Sequence, residues 1–313
     1  MLRHDDTHSR GEAEGFAESS LLMKARRPMK FTSTRSSLVL LAGVPVLFAS
    51  ASVAMAAPSG AAAIELQPHR IAYEVSLGPK SGNLFASATG VIAIEFTGNT
   101  CEGFATNFRQ ATSLADADGQ TRNLDFRVNL WEDGLGKNFR FTVNNQINGQ
   151  VLRNADGEAK RVADGSVSVA LTRPKGKKGD FDGSVQFPSA MMIGLLQAAQ
   201  SGERRFDARL FDGSEGGERI FETTATIGAK MEGDKNERLE KAVRGAALDS
   251  VPRWPISIAY YDNTPGDRVP VYTMRSVTFA NGVVSDLVFE FPEFSLAARA
   301  VRYEPLPVEA CKK

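Results

Sequence analysis

The sequence predicts an all-β chain, mainly antiparallel, whose strands curl into an open barrel or spiral around one short buried helix. Three features predict it: two-residue alternation of apolar and polar side chains recurring about every ten residues, turn signals between the runs, and a single helix-like apolar stretch. The pattern amounts to roughly thirteen or fourteen strands, and a meander of that size curls because strand twist accumulates. A two-sheet sandwich is the second arrangement the pattern allows.

In chain order, Ile71, Tyr73, Val75 and Leu77 share one face of a first strand, which breaks at Gly78-Pro-Lys-Ser-Gly82. Ala88 to Phe96 and Cys101 to Leu114 follow around a Gly98-Asn99 turn, and Asp116-Ala-Asp-Gly119 turns the chain again. Leu124, Phe126, Val128 and Leu130 alternate in the next run, and Phe139, Phe141 and Val143 in the one after. Asn148-Gly149 is a type I′ hairpin signal. A turn is expected at Asp156-Gly157, then short strands at Arg161-Val162 and Gly165 to Leu171. Lys175-Gly-Lys177-Lys178 reads as a solvated hairpin tip, and Ser184 to Phe187 leads into the helix.

The helix is the stretch Ser189 to Gly202, with Pro188 before it, Ser189 as expected N-cap and Gly202 at the left-handed C-terminal position. Met191, Met192, Ile193, Leu195, Leu196, Ala198 and Ala199 make it apolar nearly all round, so it must be surrounded. It plugs a β-rich core or lines an apolar cavity. In the second reading Met191, Met192, Leu195, Leu196, Trp254, Tyr260 and Tyr261 form the lining.

Beyond the helix, Arg205 to Phe211 and Arg219 to Ile227 return as strands. Gly228 to Ser250 is charged and reads as a mobile surface insertion or as a cover, with Leu239, Val243 and Leu248 its apolar positions. Trp254 to Tyr261, Val269 to Phe279, Val283 to Phe291 and Phe294 to Tyr303 close the series, with a hairpin at Asn281-Gly282.

The N-terminus predicts export. Basic Lys30 and Arg35, the apolar run Ser37 to Val53 and the Ala54-Met-Ala56 motif read as a signal peptide over residues 29–56, cleaved near Ala56/Ala57. Residues 1–28 precede a plausible start at Met29 and are set aside as a non-native extension. Residues 57–63 form a small-residue leader, and 57–313 are expected to fold as one domain, located in the periplasm without a transmembrane anchor. Residues 1–56 hold seven of the 37 Lys/Arg and five of the 37 Asp/Glu, leaving 30 basic and 32 acidic residues, a charge of −2. That balance argues against a nucleic-acid role.

Both cysteines, Cys101 and Cys311, remain after cleavage. An even number in an exported chain argues for a disulfide rather than reactive thiols.

Catalytic signatures are thin. His69 is the one histidine left after cleavage, and no Gly-x-Ser-x-Gly elbow accompanies it, so multi-histidine metal sites are excluded and a serine triad has a single candidate base. Asp116-Ala-Asp118 and Asp180-Phe-Asp182 lack the rest of a calcium loop, and Glu290 and Glu293 are unremarkable strand carboxylates. No cofactor fingerprint is present, and the expectation is a non-enzyme.

Glu65-Leu-Gln-Pro-His-Arg-Ile-Ala-Tyr73, Cys101-Glu-Gly, Phe187-Pro188, Leu210-Phe-Asp-Gly213 and Trp254-Pro-Ile-Ser-Ile-Ala-Tyr-Tyr-Asp262 together resemble the cell-envelope integrity protein B family, a group of exported proteins long described as a domain of unknown function. The resemblance spans nearly all of 57–313, and the Cys near the third strand with a Cys at the C-terminus is its most specific feature. Residues 1–28 are a departure from it. The resemblance implies a periplasmic β-spiral with one disulfide, needed for envelope integrity, without known catalytic residues, and suggests a helical-repeat (TPR-type) periplasmic partner. The expected function is therefore non-enzymatic envelope maintenance by binding a protein partner or an apolar lipid or peptide ligand. An envelope-polymer hydrolase and a purely structural scaffold are the alternatives.

Overall fold

A computed structural model describes residues 63–80, 82, 84–176, 178–233, 239–245, 247–262 and 269–311. The N-terminal extension, the signal peptide and residues 57–62 of the leader lie outside the described residues. The described residues belong to one compact unit, Ala57–Lys313.

The strands are β1 (His69–Leu77), β2 (Ser87–Asn99), β3 (Gly103–Ala115), β4 (Thr121–Glu132), β5 (Asn138–Ile147), β6 (Gln150–Arg161), β7 (Val167–Arg173), β8 (Lys178–Phe181) and β9 (Val185–Gln186). After helix α1 (Pro188–Gln200) come β10 (Arg205–Leu210), β11 (Phe221–Ile227), β12 (Arg253–Tyr261), β13 (Tyr272–Phe279), β14 (Val284–Glu290) and β15 (Ser295–Pro305). All belong to one 15-stranded sheet in the order β8-β7-β6-β5-β4-β3-β2-β1-β15-β14-β13-β12-β11-β10-β9. The first and last strands pair at the middle of the sheet, and its two edges, β8 and β9, are consecutive in the chain. The sheet therefore curls into a nearly closed barrel, and a sandwich is excluded.

Residues 182–184 link the two edges, and Arg161 at the end of β6 fastens them. Its guanidinium donates to the carbonyls of Gly136 (3.2 Å), Gly165 (2.9 Å), Gly183 (3.1 Å) and Val185 (2.7 Å). One rigid fork thus ties the ends of several hairpins to β9. Arg209 of β10 adds an ion pair to Asp182 and a 2.7 Å bond to Ser184 Oγ.

Alternation sets the faces. In β1, His69, Ile71, Tyr73 and Val75 are buried while Arg70 and Glu74 are exposed. The type I′ hairpin forms as expected, with Asn148 at φ 51° and Gly149 at φ 76°.

One expected turn needs correction. Asp156-Gly157 is not a turn: β6 runs through it with a bulge against β7. Glycine fits there because a side chain would stand 2.7 Å from Leu171 Cδ2 and Phe141 Cζ. The described residues of the basic tip, Lys175, Gly176 and Lys178, are exposed as expected, and Lys178 opens the short strand β8, hydrogen-bonded to β7. Of the two readings of Gly228 to Ser250, the described residues favour the cover, because Leu239, Val243 and Leu248 are buried in one cluster with Phe279, Val283 and Leu287. Its 3-10 turn, Lys241–Val243, lies against β15.

The helix is buried as its composition predicts. Met191, Leu195, Leu196 and Ala199 pack with Leu210, Phe221, Ala225, Trp254, Ile256, Ile258 and Tyr260 on the concave face, while Gln197 and Gln200 face outward. Its C-terminus is a Schellman motif: Gly202 sits at φ 81°, its N–H bonds Ala199 O (3.2 Å), and Glu203 N–H bonds Ala198 O (3.0 Å).

Its N-terminus differs from expectation. Phe187 occupies the cap position with no side-chain bond, and Ser189 lies inside the helix. The cap comes from the end of β4, where Glu132 accepts N–H bonds from Ser189 (2.7 Å) and Ala190 (3.2 Å). Burial pushes this carboxyl's pKa up, and the two helix N–H groups oppose that shift. Glu132→Ala is expected to destabilise the fold by about 3 kcal/mol, because two buried donors lose their acceptor. Denaturant midpoints check this, and a loss below about 0.5 kcal/mol would contradict the assigned role.

The interior apolar surface and the disulfide

Three clusters of buried apolar residues share the interior. One surrounds the β1–β15 pairing, one the helix, and one Phe139, Phe141, Phe187 and Phe211. In the last, Phe139 and Phe187 stack at 4.9 Å and Phe211 meets Phe141 edge-on at 5.6 Å. Loop 211–220 reaches this cluster because Gly213, at φ 71°, lets the backbone approach the Phe141 ring, which a side chain would meet at 2.6 Å.

The clusters do not merge into one solid core. Phe108 borders the first and third, Met274 the first and second, and both are only partly buried. Register carries the inner face from Tyr303 through Ile71, Ile94 and Phe108 to Val128 and Val143. Along it and the neighbouring rows, Ile94, Phe96, Phe108, Leu124, Phe126 and Met274 face inward yet remain half-buried. Such positions are solvent-accessible apolar lining inside a curled sheet. Phe108 and Phe126 meet edge-on at 5.9 Å, and Gln110 bonds Thr112 Oγ1 at 3.2 Å as a polar group on the same face.

The residues expected from the sequence to line a cavity sit differently. Met191, Leu195, Leu196, Trp254 and Tyr260 are at most 7% exposed and form the packed contact between the helix and the sheet. Met192 is half-buried at its border. Tyr261 alternates to the opposite face from Tyr260. Tyr260 stacks on Tyr272 at 4.4 Å, and burial pushes both phenols above their usual range. The accessible lining comes mainly from β2 to β4, where the same alternation that defines the strands marks it in the sequence.

Cys101 and Cys311 are joined, with Cα atoms 5.7 Å apart, a separation ordinary for a disulfide. Asn99 braces the bridge: its Oδ1 accepts from the N–H of Cys101 (2.8 Å) and Glu102 (2.9 Å), and its Nδ2 donates to Glu309 O (3.0 Å). The C-terminal tail is thereby fixed across the β2–β3 turn.

His69 is buried between Phe96 and Tyr303, its ring centroid 5.9 Å from each, with Nδ1 2.7 Å from Gln67 O. Burial lowers its pKa, opposed by the Gln67 carbonyl. Glu290 is ion-paired with Arg275 at 2.7 Å. Asp116 accepts N–H bonds from Asp118 and Gln120, and Asp182 from Ser184, so both aspartates serve turns. Among the described residues, no group of three or more His, Cys, Asp or Glu could hold a metal ion. No helix among them is long and apolar enough to cross a membrane.

Fold and site together define a nearly closed antiparallel β-barrel with a helix in its concavity and an accessible apolar interior. The chain belongs to the EipB-like family, whose model matches residues 60–307. It is 33% identical over 252 residues to the cell envelope integrity protein EipB of Brucella abortus (strain 2308), covering 79% of this chain and 87% of that protein. It also superposes on the crystal structure of a β-barrel-like protein of a domain of unknown function from Brucella abortus. That match has a TM-score of 0.70 and 30% identity, and covers 78% of this chain and all of that one. The kinship supports an envelope-related role.

Proposed function

We propose that this protein is a periplasmic, non-catalytic factor that maintains the cell envelope by holding an apolar ligand, a lipid chain or an apolar peptide, inside its curled sheet. One observation carries the reading: Ile94, Phe96, Phe108, Phe126 and Met274 face inward at the borders of the packed clusters and are only partly buried there. Leaving such aromatic and sulfur-bearing side chains half-covered forgoes about 1–2 kcal/mol each of burial, a cost that an apolar occupant would recover. Catalysis draws no support from His69, whose ring is enclosed by Phe96 and Tyr303 and whose Nδ1 is engaged by a backbone carbonyl.

The test uses residues 57–313 and N-phenyl-1-naphthylamine, whose fluorescence rises in apolar surroundings. Saturable enhancement, displaced by a long-chain fatty acid and weakened about tenfold by Phe108→Asn, is expected, since an uncompensated polar group in an apolar pocket costs on the order of 1–3 kcal/mol. Absence of enhancement, or equal enhancement in the variant, would reject an apolar interior site.

A further inference from the structure

We propose that the outer wall of β15, β1, β2, β3 and β4 carries a second binding surface, a cationic groove that takes an acidic, extended polypeptide segment. This surface lies on the opposite face of the sheet from the interior site, although its groove also borders Ile71, Ile94 and Phe108.

The register builds the groove. Across the outer face one row reads Arg302, Ala72, Ala93, Arg109 and Arg127, and the row beside it reads Glu304, Arg70, Glu95, Asn107 and Asn129. The two alanines leave a floor between arginine walls, with Arg302 and Arg109 three strand spacings, about 14 Å, apart at the backbone. These residues line a groove of about 610 Å³, and an extended chain about 5 Å across fits along such a floor.

Charge selects the occupant. The lining holds four arginines and two glutamates, and with Asp125, which pairs with two of those arginines, the local balance is one positive charge on a chain that is otherwise nearly neutral. Arg70 bridges to both glutamates, at 2.5 Å to Glu95 and 3.5 Å to Glu304, and Arg302 lies 3.4 Å from Glu304. Arg109 and Arg127 stand directly opposite one another on neighbouring strands, an arrangement that like charges disfavour. Both fork onto the single carboxylate of Asp125, which accepts four N–H bonds of 2.7–3.2 Å. Two cations thus share one anion, and their side chains remain 55% and 50% exposed. Arg302 is 76% exposed. A guanidinium whose charge is only half balanced binds a further carboxylate well, because its planar fork offers two parallel donors.

The remaining groups favour a peptide over a bilayer. Asn107 and Asn129 are cross-strand partners whose amides match peptide N–H and C=O groups. The apolar residues of the groove lining, Ile71, Ile94 and Phe108, lie on the inward-facing positions of their strands, and none of the large exposed hydrophobics of the surface is among them, so it offers a membrane little to insert.

The experiment measures fluorescence anisotropy of a labelled peptide of alternating Asp and Asn against residues 57–313, with an all-Asn peptide and phosphatidylglycerol vesicles as comparators. Salt-sensitive binding of the acidic peptide is expected, reduced about tenfold in R109Q/R127Q/R302Q, whose exposed sites should leave melting unchanged. Naphthylamine binding by that variant should also be unchanged, which separates this surface from the interior one. Failure to bind the acidic peptide, equal binding by the all-Asn peptide or by the variant, or preference for the vesicles would overturn the assignment. If the triple variant melts lower, Arg302→Gln alone, which leaves the Asp125 pairs intact, must still weaken binding.

Discussion

Serine at Cys101 is expected to lower the melting temperature by roughly 10 °C under oxidising conditions, and serine at Cys311 by the same amount. The bridge spans a sequence separation of 210 residues. Closing a loop of that size removes enough unfolded-state entropy to stabilise the fold by about 5 kcal/mol in the chain-entropy model, an upper figure. In a domain of this size each kcal/mol moves the melting temperature by about 2–4 °C. The double variant should melt with the single ones, since either change opens the same loop. Equal reduction-induced loss in the wild type, and none in the variants, completes the expected pattern; unequal single-variant effects would contradict it.

Arg161→Ala is expected to cost about 3 kcal/mol and to act locally before it acts globally. Its guanidinium holds carbonyls from the β4–β5, β6–β7 and β8–β9 connections in one fork. Without it, four acceptors at the closure lose a charged donor, and the edge strands β8 and β9, four and two residues long, keep only their pairing with β7 and β10 and the Arg209 contacts. Arg161→Lys should restore little, because a point charge cannot reach the carbonyls as a fork does. Amide hydrogen exchange across 178–186 measures this directly: exchange should rise there in both variants while β1 and β15 stay protected. Full rescue by lysine would show that charge rather than shape fastens the closure.

Much of this architecture is legible in the sequence because it rests on short-range rules. Alternation at Ile71-Tyr73-Val75 or Phe139-Phe141-Val143, the Asn148-Gly149 turn and the all-round apolar helix each express a local preference that the packing then satisfies. What was misread depends on partners distant in the chain. Ser189 looks like a cap, but Glu132, 57 residues earlier, reaches the helix first. Asp156-Gly157 looks like a turn, but the Phe141 and Leu171 side chains press on a continuous strand at that point. For the charged stretch after Gly228 the sequence leaves a mobile insertion and a cover both open, because Leu239, Val243 and Leu248 are too sparse to show periodicity, and only the surface formed by Phe279 and Val283 gives them a place to bury.

The site was partly legible in the same sense. The helix and Trp254 identify where the interior is densest, which is why they make its floor. The accessible lining lies on β2 to β4, in residues such as Phe108 and Phe126 that read as ordinary strand positions. Their partial burial follows from their place at the borders of the packed clusters, which no single strand reveals. The outer arginines were equally unmarked, since Arg109 and Arg127 become neighbours only through the β3–β4 register.

Native mass spectrometry of the protein recovered from the periplasm tests the interior most directly. The expected spectrum shows residues 57–313, two hydrogen atoms lighter for the bridge, carrying a non-covalent mass that organic extraction removes and that Phe108→Asn diminishes. A bare, disulfide-bonded chain that also fails to take up added lipid would contradict an apolar-holding barrel.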